Sequence, residues 1–257
     1  GLRAAASHRV VAIDGCLVAH PALVELFPTL RVRGADEISL RVSGATGEIT
    51  AFADAAGAQA MGLRQSVRVG ATAVLHEVVS GVRLQVSAAS FFQSGPQAAE
   101  LLVAHVRKAC GELLAPGGTF LDAYGGVGLF AAALALPAGM TAIVVESSES
   151  ACRDAVANLN QSAEVICSRL EDWTARPADL VVADPARAGL GRAGVAVLAA
   201  TKARRIVLVS CDAASLARDT QLLAELGYRH AGSTVLDLFP HTPHVEVVTR
   251  FDNSITG

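Results

Sequence analysis

A cysteine stands where an apolar run gives way to a helix. In "VLVSCDAASLARDT", Val207 to Thr220, Cys211 closes a strand-like stretch and a helical pattern follows at once. A thiol becomes a useful nucleophile when its thiolate is stabilised, and a helix N-terminus can do that. Burial as a small structural side chain is the commoner fate of cysteine. Cys16, Cys110, Cys152 and Cys167 read that way, whereas Cys211 lies at a strand end. Glu246, in "DLFPHTPHVEVV", begins another strand, where its carboxylate can serve as general base toward a substrate held by the thiol. His241, His244 and Glu246 also have a zinc-like H-x-x-H spacing with a nearby carboxylate. They lack a third firm ligand, so no metal site is expected.

Two further strand ends carry candidate binding groups. "LDAYGGVGLF" places Gly126, Gly128 and Ala131 in a G-x-G-x-x-A pattern, which allows a tight strand-to-helix turn and close backbone approach to a ligand. Glu146 closes the next strand 20 residues after Gly126, where a carboxylate can grip ribose hydroxyls. A nicotinamide or flavin dinucleotide fits this loop as S-adenosylmethionine does. Asp122, an acidic residue at the end of the loop's own strand, tilts the reading toward S-adenosylmethionine. "ADLVVADPAR" ends in Asp184-Pro185, either a turn starter or a carboxylate held stiffly at a sheet edge.

The elements that position these residues change character near Gly95. Residues 1–94 read as a smaller, mainly antiparallel β domain: "EISLRVSG", "GEITAFA", "TAVLHEVV" and "VRLQVSAASFFQ" are strands, and "PALVELFPTL" is a short helix. Residues 95–257 open with a helix at "GPQAAELLVAHVRKACGELL", with Leu101, Leu102, Val106 and Leu113 expected on its buried side. Near-continuous apolar strands then alternate with helices. The fold class is α/β, a mostly parallel sheet covered on both faces. Such sheets bind ligands outside the carboxyl ends of their strands, where Cys211, Glu146 and Asp184 fall.

Bulk properties narrow the classes without choosing one. A chain of 257 residues that is 52% hydrophobic can bury one or two cores. Its longest apolar run is broken by Pro137 and Gly139, so no membrane helix is expected. No signal peptide is expected, and five scattered cysteines suit a reducing cytoplasm better than a disulfide framework. The net charge of −3 does not advertise a nucleic-acid partner, although arginine supplies nearly all the basic residues and suits phosphate.

Taken together, "FFQ" ending at Gln93, "LDAYGGVG", "DPARAGL", "SCDAASLARD" and "FPHTPHVE" resemble the RNA 5-methyluridine methyltransferases. That family shows F-x-Q, L-D-x-Y-C-G-x-G, D-P-P-R-x-G-L, S-C-N-P-x-T-L-A-R-D and F-P-H-T-x-H-V-E in the same order. The opening "GLRAAASHRVVAIDGCLVAHPAL" resembles the family's central domain. The resemblance implies a Rossmann-like S-adenosylmethionine-dependent methyltransferase domain acting on uracil C5 in tRNA or rRNA. It implies Cys211 as nucleophile and Glu246 as base, with Gln93, Tyr124, Glu146 and Asp184, beside Gly126 and Gly128 of the loop, holding the cofactor.

Departures and absences qualify the match. Gly125 replaces the family's loop cysteine, which should be harmless or relieve strain, and Ala186 replaces a proline. Asp212 and Ala213 follow the cysteine where the family has Asn and Pro; Asp212 is expected to disfavour the thiolate and repel phosphate. The N-terminal RNA-binding barrel of many members is expected to be absent. Cys16 matches the last of four iron–sulfur ligands of some relatives, and without the other three no cluster is expected. The competing readings are a non-catalytic RNA-binding or S-adenosylmethionine-sensing module on this fold, and an NAD-dependent oxidoreductase.

Overall fold

A computed structural model describes residues 2–3, 7, 9–93, 95–239, 242 and 244–254. The chain divides into two compact units, residues 1–76 with 87–89, and residues 77–86 with 90–257.

The first unit contains the short strands β1 (Leu2–Arg3) and β2 (Val10–Val11), helix α1 (Pro21–Val24), and strands β3 (Arg31–Arg33), β4 (Ser39–Val42), β5 (Ile49–Phe52), β6 (Gln59–Met61) and β7 (Val67–Val69). Pairing is antiparallel in β1–β2, β3–β6 and β4–β5, while β5–β7 is parallel. Leu26, Ile49, Ala51 and Val67 form its small core. Cys16 is half-buried there and lines an apolar cavity of about 600 Å³ with Leu23, Phe27 and Leu40.

Strands β8 (Val74–Val79) and β9 (Val82–Ser87) form a hairpin around Ser80-Gly81, whose positive φ angles of 51° and 77° suit a two-residue turn. The sequence boundary at residues 94 and 95 differs from the observed division, which groups 77–86 and 90–94 with the second unit. Side-chain hydrogen bonds explain the grouping. Asn158 accepts from the Gln85 amide at 2.7 Å and donates to the Gln85 carbonyl at 3.0 Å. Ser90 Oγ and Gln85 Nε2 both donate to Asp154, at 2.6 and 3.0 Å.

The second unit continues with α2 (Pro96–Cys110), β10 (Thr119–Ala123), a π-helical turn at Ala131–Ala135, β11 (Thr141–Glu146), α3 (Glu149–Leu159), β12 (Ala163–Cys167) and β13 (Leu180–Ala183). Then come α4 (Gly191–Ala200), β14 (Arg205–Ser210), α5 (Ala213–Glu225), β15 (Tyr228–Leu236) and β16 (Glu246–Asn253). One seven-stranded sheet runs β12-β11-β10-β13-β14-β16-β15. It is parallel through β14, and β16 is antiparallel to both of its neighbours. Every residue of β13 and β14 is buried, as expected of strands covered on both faces. Helix α2 packs on β14 and β16, α3 on β11 and β12, and α5 on β14 and β15.

Helix α2 buries Ala99, Leu102, Val103, Val106 and Cys110, a stripe at helical spacing. Leu102, Val106 and Leu113 are buried as expected, but Leu101 is 48% exposed because it lies one residue off that stripe. Strand order reverses between β10 and β13, so the carboxyl ends of β11, β10 and β13 flank the crevice where this architecture takes ligands.

Candidate active site

The glycine loop leaves β10 through an unusual backbone. Tyr124, Gly126 and Gly128 have φ angles of 57°, 55° and 84°. A Cβ on Gly128 would lie 3.1 Å from Leu159 Cδ1, so this glycine lets the loop sit on α3. A Cβ on Gly126 would meet nothing within 4 Å, which leaves that face of the loop open. Gly125 differs, because a Cβ there would stand 2.6 Å from Val144 Cγ1 and 3.1 Å from Asp122 Cγ. The loop has closed over the space that a side chain at 125 would need.

Two carboxylates hold this loop. Asp122 is fully buried, and its Oδ2 accepts from the Ala131 amide at 2.9 Å. Burial, and then the charges of Asp184 and Glu146, push its carboxyl well above the ordinary carboxylate range. Glu146 Oε2 accepts from the Gly126 amide at 2.9 Å, and Oε1 from the Ser148 amide at 2.7 Å. Beside them lies a cavity of about 200 Å³ lined by Tyr124, Glu146, Ser147, Ser168, Arg169 and Glu171, among others. The Tyr124 hydroxyl donates to Glu171 at 3.1 Å.

Cys211 follows β14 at the same edge of the sheet. Ser210 pairs with Val247, and continuing that antiparallel register sets Cys211 opposite Glu246. The thiol is half-buried. Burial and the negative charges of Glu246 and Asp184 push it up, while the positive charge of Arg187 pulls it back down. Glu246 is 5% exposed, and burial raises its carboxyl to about 7. Asp184 is also raised to about 7, first by burial and then by the charge of Glu246. Gln93 Nε2 reaches Asp184 Oδ2 at 3.4 Å, a long hydrogen bond. Asp122, which feels both Asp184 and Glu146, links this cluster to the cavity beside the glycine loop.

All eight site residues anticipated from the sequence therefore belong to this unit and gather at the carboxyl edge of its sheet. Asp212 has a further role that the sequence reading did not give. It is the N-cap of α5, with its carboxylate accepting from the Ser215 amide at 2.8 Å, and that bond holds it below the ordinary range. His241 lies outside the described residues, and His244 packs edge-on to Phe239. Among the described residues no group of three or more His, Cys, Asp or Glu is arranged to hold a metal ion. Sequence reading missed Arg187, Glu171, Arg218 and Asp219. Arg187 was visible only as the last letter of "DPAR", and Arg218 and Asp219 as the tail of "SCDAASLARD".

The fold that carries this site is shared with known proteins. An archaeal tRNA (uracil-54, C5)-methyltransferase from Pyrococcus abyssi, solved with S-adenosyl-L-homocysteine, superposes with a TM-score of 0.76. It is 26% identical, over 98% of this chain and 72% of that one. A Streptomyces avermitilis relative, named an uncharacterized RNA methyltransferase, is 33% identical over all of this chain and 65% of its own length. The 23S rRNA (uracil(1939)-C(5))-methyltransferase RlmD of Pectobacterium atrosepticum is 39% identical over 142 residues, 51% of this chain and 31% of that protein. The chain is thus similar to RNA methyltransferases, two of which are named for uracil C5. No family model matches it. The chain spans 39% of a Streptomyces coelicolor relative, an RNA methyltransferase also named uncharacterized, to which it is 40% identical. The departures at Gly125 and Asp212 have local structural settings.

Proposed function

We propose that this chain is the catalytic part of an S-adenosylmethionine-dependent RNA methyltransferase that forms 5-methyluridine in tRNA or rRNA. The observation that carries the reading is the placement of Cys211 opposite Glu246 at the end of β14, with Asp184 directly after the neighbouring parallel strand β13.

The residues fit the cofactor. The open face of Gly126 leaves room for close backbone approach, and Glu146 keeps lone pairs for ribose hydroxyls after its two backbone bonds. Tyr124, Gly126, Gly128 and Glu146 would hold the nucleoside side, with Gln93 and Asp184 toward the reacting end. When bound, S-adenosylmethionine supplies an electrophilic methyl group.

Uracil C5 is a poor nucleophile, and covalent catalysis divides the difficulty. Cys211 Sγ adds to C6, which places the electron pair on the C5 enolate. After C5 is methylated, Glu246 takes the C5 proton, the Sγ–C6 bond breaks, and the pair returns to sulfur. A carboxyl near 7 can exchange protons at neutral pH, as a general base needs.

RNA carrying 5-fluorouridine tests the reading, because fluorine at C5 cannot leave as a proton and the adduct persists. The protein with S-adenosylmethionine should form a denaturation-resistant adduct mapped to Cys211, and Cys211→Ala should form none. No adduct from an intact protein that binds S-adenosylhomocysteine would point instead to a non-catalytic module. The RNA partner and the cytoplasm belong to this proposal; among the described residues no helix is long and apolar enough to cross a membrane.

A further inference from the structure

The tail of the cysteine motif lies two turns into α5, away from the thiol, yet it is tied to a different segment. Asp219 is fully buried, and both its oxygens are in use. Oδ2 accepts from the Leu190 amide at 2.6 Å and Oδ1 from the Gly191 amide at 3.0 Å. Arg218 Nε and Nη2 donate to Asp219 Oδ1 at 3.0 and 2.8 Å, and Nη2 also donates to the Ala188 carbonyl at 2.6 Å. Gly189, between these anchors, has φ of 70°, and a Cβ there would fall 2.3 Å from Asp219 Oδ2 and 2.7 Å from Arg218 Nη2. The backbone lies directly on the clamp, and glycine alone fits.

Part of this arrangement is local housekeeping. Leu190 caps α4 with no side-chain bond, so Asp219 supplies the acceptor that the first amides of the helix need. The same loop, however, begins at Asp184 and carries Arg187 immediately before the clamped Ala188. Pro185 stiffens only the first step, so the path of Arg187 toward the thiol depends on the far end being held.

We propose that Arg218 and Asp219 are positioning residues that hold the 184–191 loop so that the Arg187 guanidinium stays beside Cys211. The proposal rests on the reading of Cys211 as nucleophile, which Arg187 would favour as thiolate. The charged groups acting on that thiol are Glu246 from β16 and Asp184 and Arg187 from the loop, while Asp212, the next residue, bonds to the Ser215 amide of its own helix. Arg187 is the cation of the set, so its displacement has a definite sign.

The test is the rate of Cys211 alkylation by iodoacetamide between pH 6.5 and 9.5, read by peptide mass mapping on the full chain, with pH limits spanning roughly the ordinary thiol range. Arg187→Ala should slow alkylation at pH 7.5 by about three- to tenfold and move the pH profile up, the size expected of losing one nearby opposite charge. Asp219→Asn should produce a similar shift, and Arg187→Ala with Asp219→Asn should be no slower than Arg187→Ala alone, because both remove the same interaction. Arg218→Ala keeps the Asp219 bonds to α4 and should shift the profile in the same direction, with recovery in Arg218→Lys. A thermal melt reports folding separately. If Asp219→Asn does not fold, the double variant Arg187→Ala with Arg218→Ala replaces it. An unchanged profile in folded Arg218→Ala, or full additivity with Arg187→Ala, overturns the proposal. Alkylation needs no RNA, so failure of the 5-fluorouridine adduct with the expected alkylation pattern would remove the enzymatic reading and leave the positioning intact.

Discussion

The amide of Gly126 and the carboxylate of Glu146 are joined at 2.9 Å, so the loop after β10 is fastened to the end of β11 by a group that also faces the adjoining cavity. One side chain thus shapes the loop and lines that cavity. A charge-assisted bond of this kind contributes about 1.5–3 kcal/mol when its partner would otherwise be unpaired.

Glu146→Ala should therefore weaken S-adenosylhomocysteine binding by about tenfold or more, equivalent to at least about 1.4 kcal/mol, by isothermal titration calorimetry. Glu146→Gln can still accept through one oxygen and should fall between Ala and wild type. Unchanged affinity in Glu146→Ala would remove this residue from the cofactor site.

On the proposed mechanism, Glu246 links pH to both stability and turnover. Its carboxyl is raised from an ordinary 4.5 to about 7 in the folded chain. Between those values the folded state keeps a proton that the unfolded chain has released, so this group weakens the fold as pH rises through that window. Glu246→Gln removes the titration. Relative to wild type it should melt a few degrees higher at pH 8 and close to wild type at pH 4.5. Turnover should move oppositely: wild-type rates rise from pH 6 to 8 as the carboxylate forms, and Glu246→Gln loses at least about 100-fold, the low end of general-base effects. A variant with wild-type turnover would show that another group takes the proton.

Asp212 is where this chain departs most visibly from the family pattern it resembles, and its carboxylate is engaged with the first turn of α5. Asp and Asn cap helices about equally well, so Asp212→Asn should leave the melting temperature nearly unchanged. Asp212→Ala should cost about 1 kcal/mol. Equal stability of all three in a denaturant titration would mean that the cap contributes nothing.

Gly125 occupies the place of the family's loop cysteine, and the space for its Cβ is taken by Val144 and Asp122. Gly125→Ala should destabilise the second unit by about 1–3 kcal/mol, the usual cost of overfilling a packed site. An unaltered melting temperature would show that the loop can relax around the added methyl.

The sequence alone was sufficient to identify the inner strands β10, β11, β13 and β14, because their residues are almost all apolar and buried, whereas the edge strands β12 and β15 are largely exposed and carry little of that signal. It also identified the residues that end those strands: Asp122, Glu146, Asp184 and Cys211 follow from local pattern and motif order. Tertiary structure decided what those ends meet. Gln93 and Asp184 are 91 residues apart, and Leu190 and Asp219 are 29 apart. Such bonds depend on strand order and register, which side-chain periodicity does not encode. The hairpin at 77–86 joined the second unit through Asn158 and Asp154, which read in the sequence as ordinary polar positions of a helix. Leu101 was misplaced for a related reason. Periodicity gives the width of an apolar stripe, but the neighbouring strands determine which residues at its margin are covered.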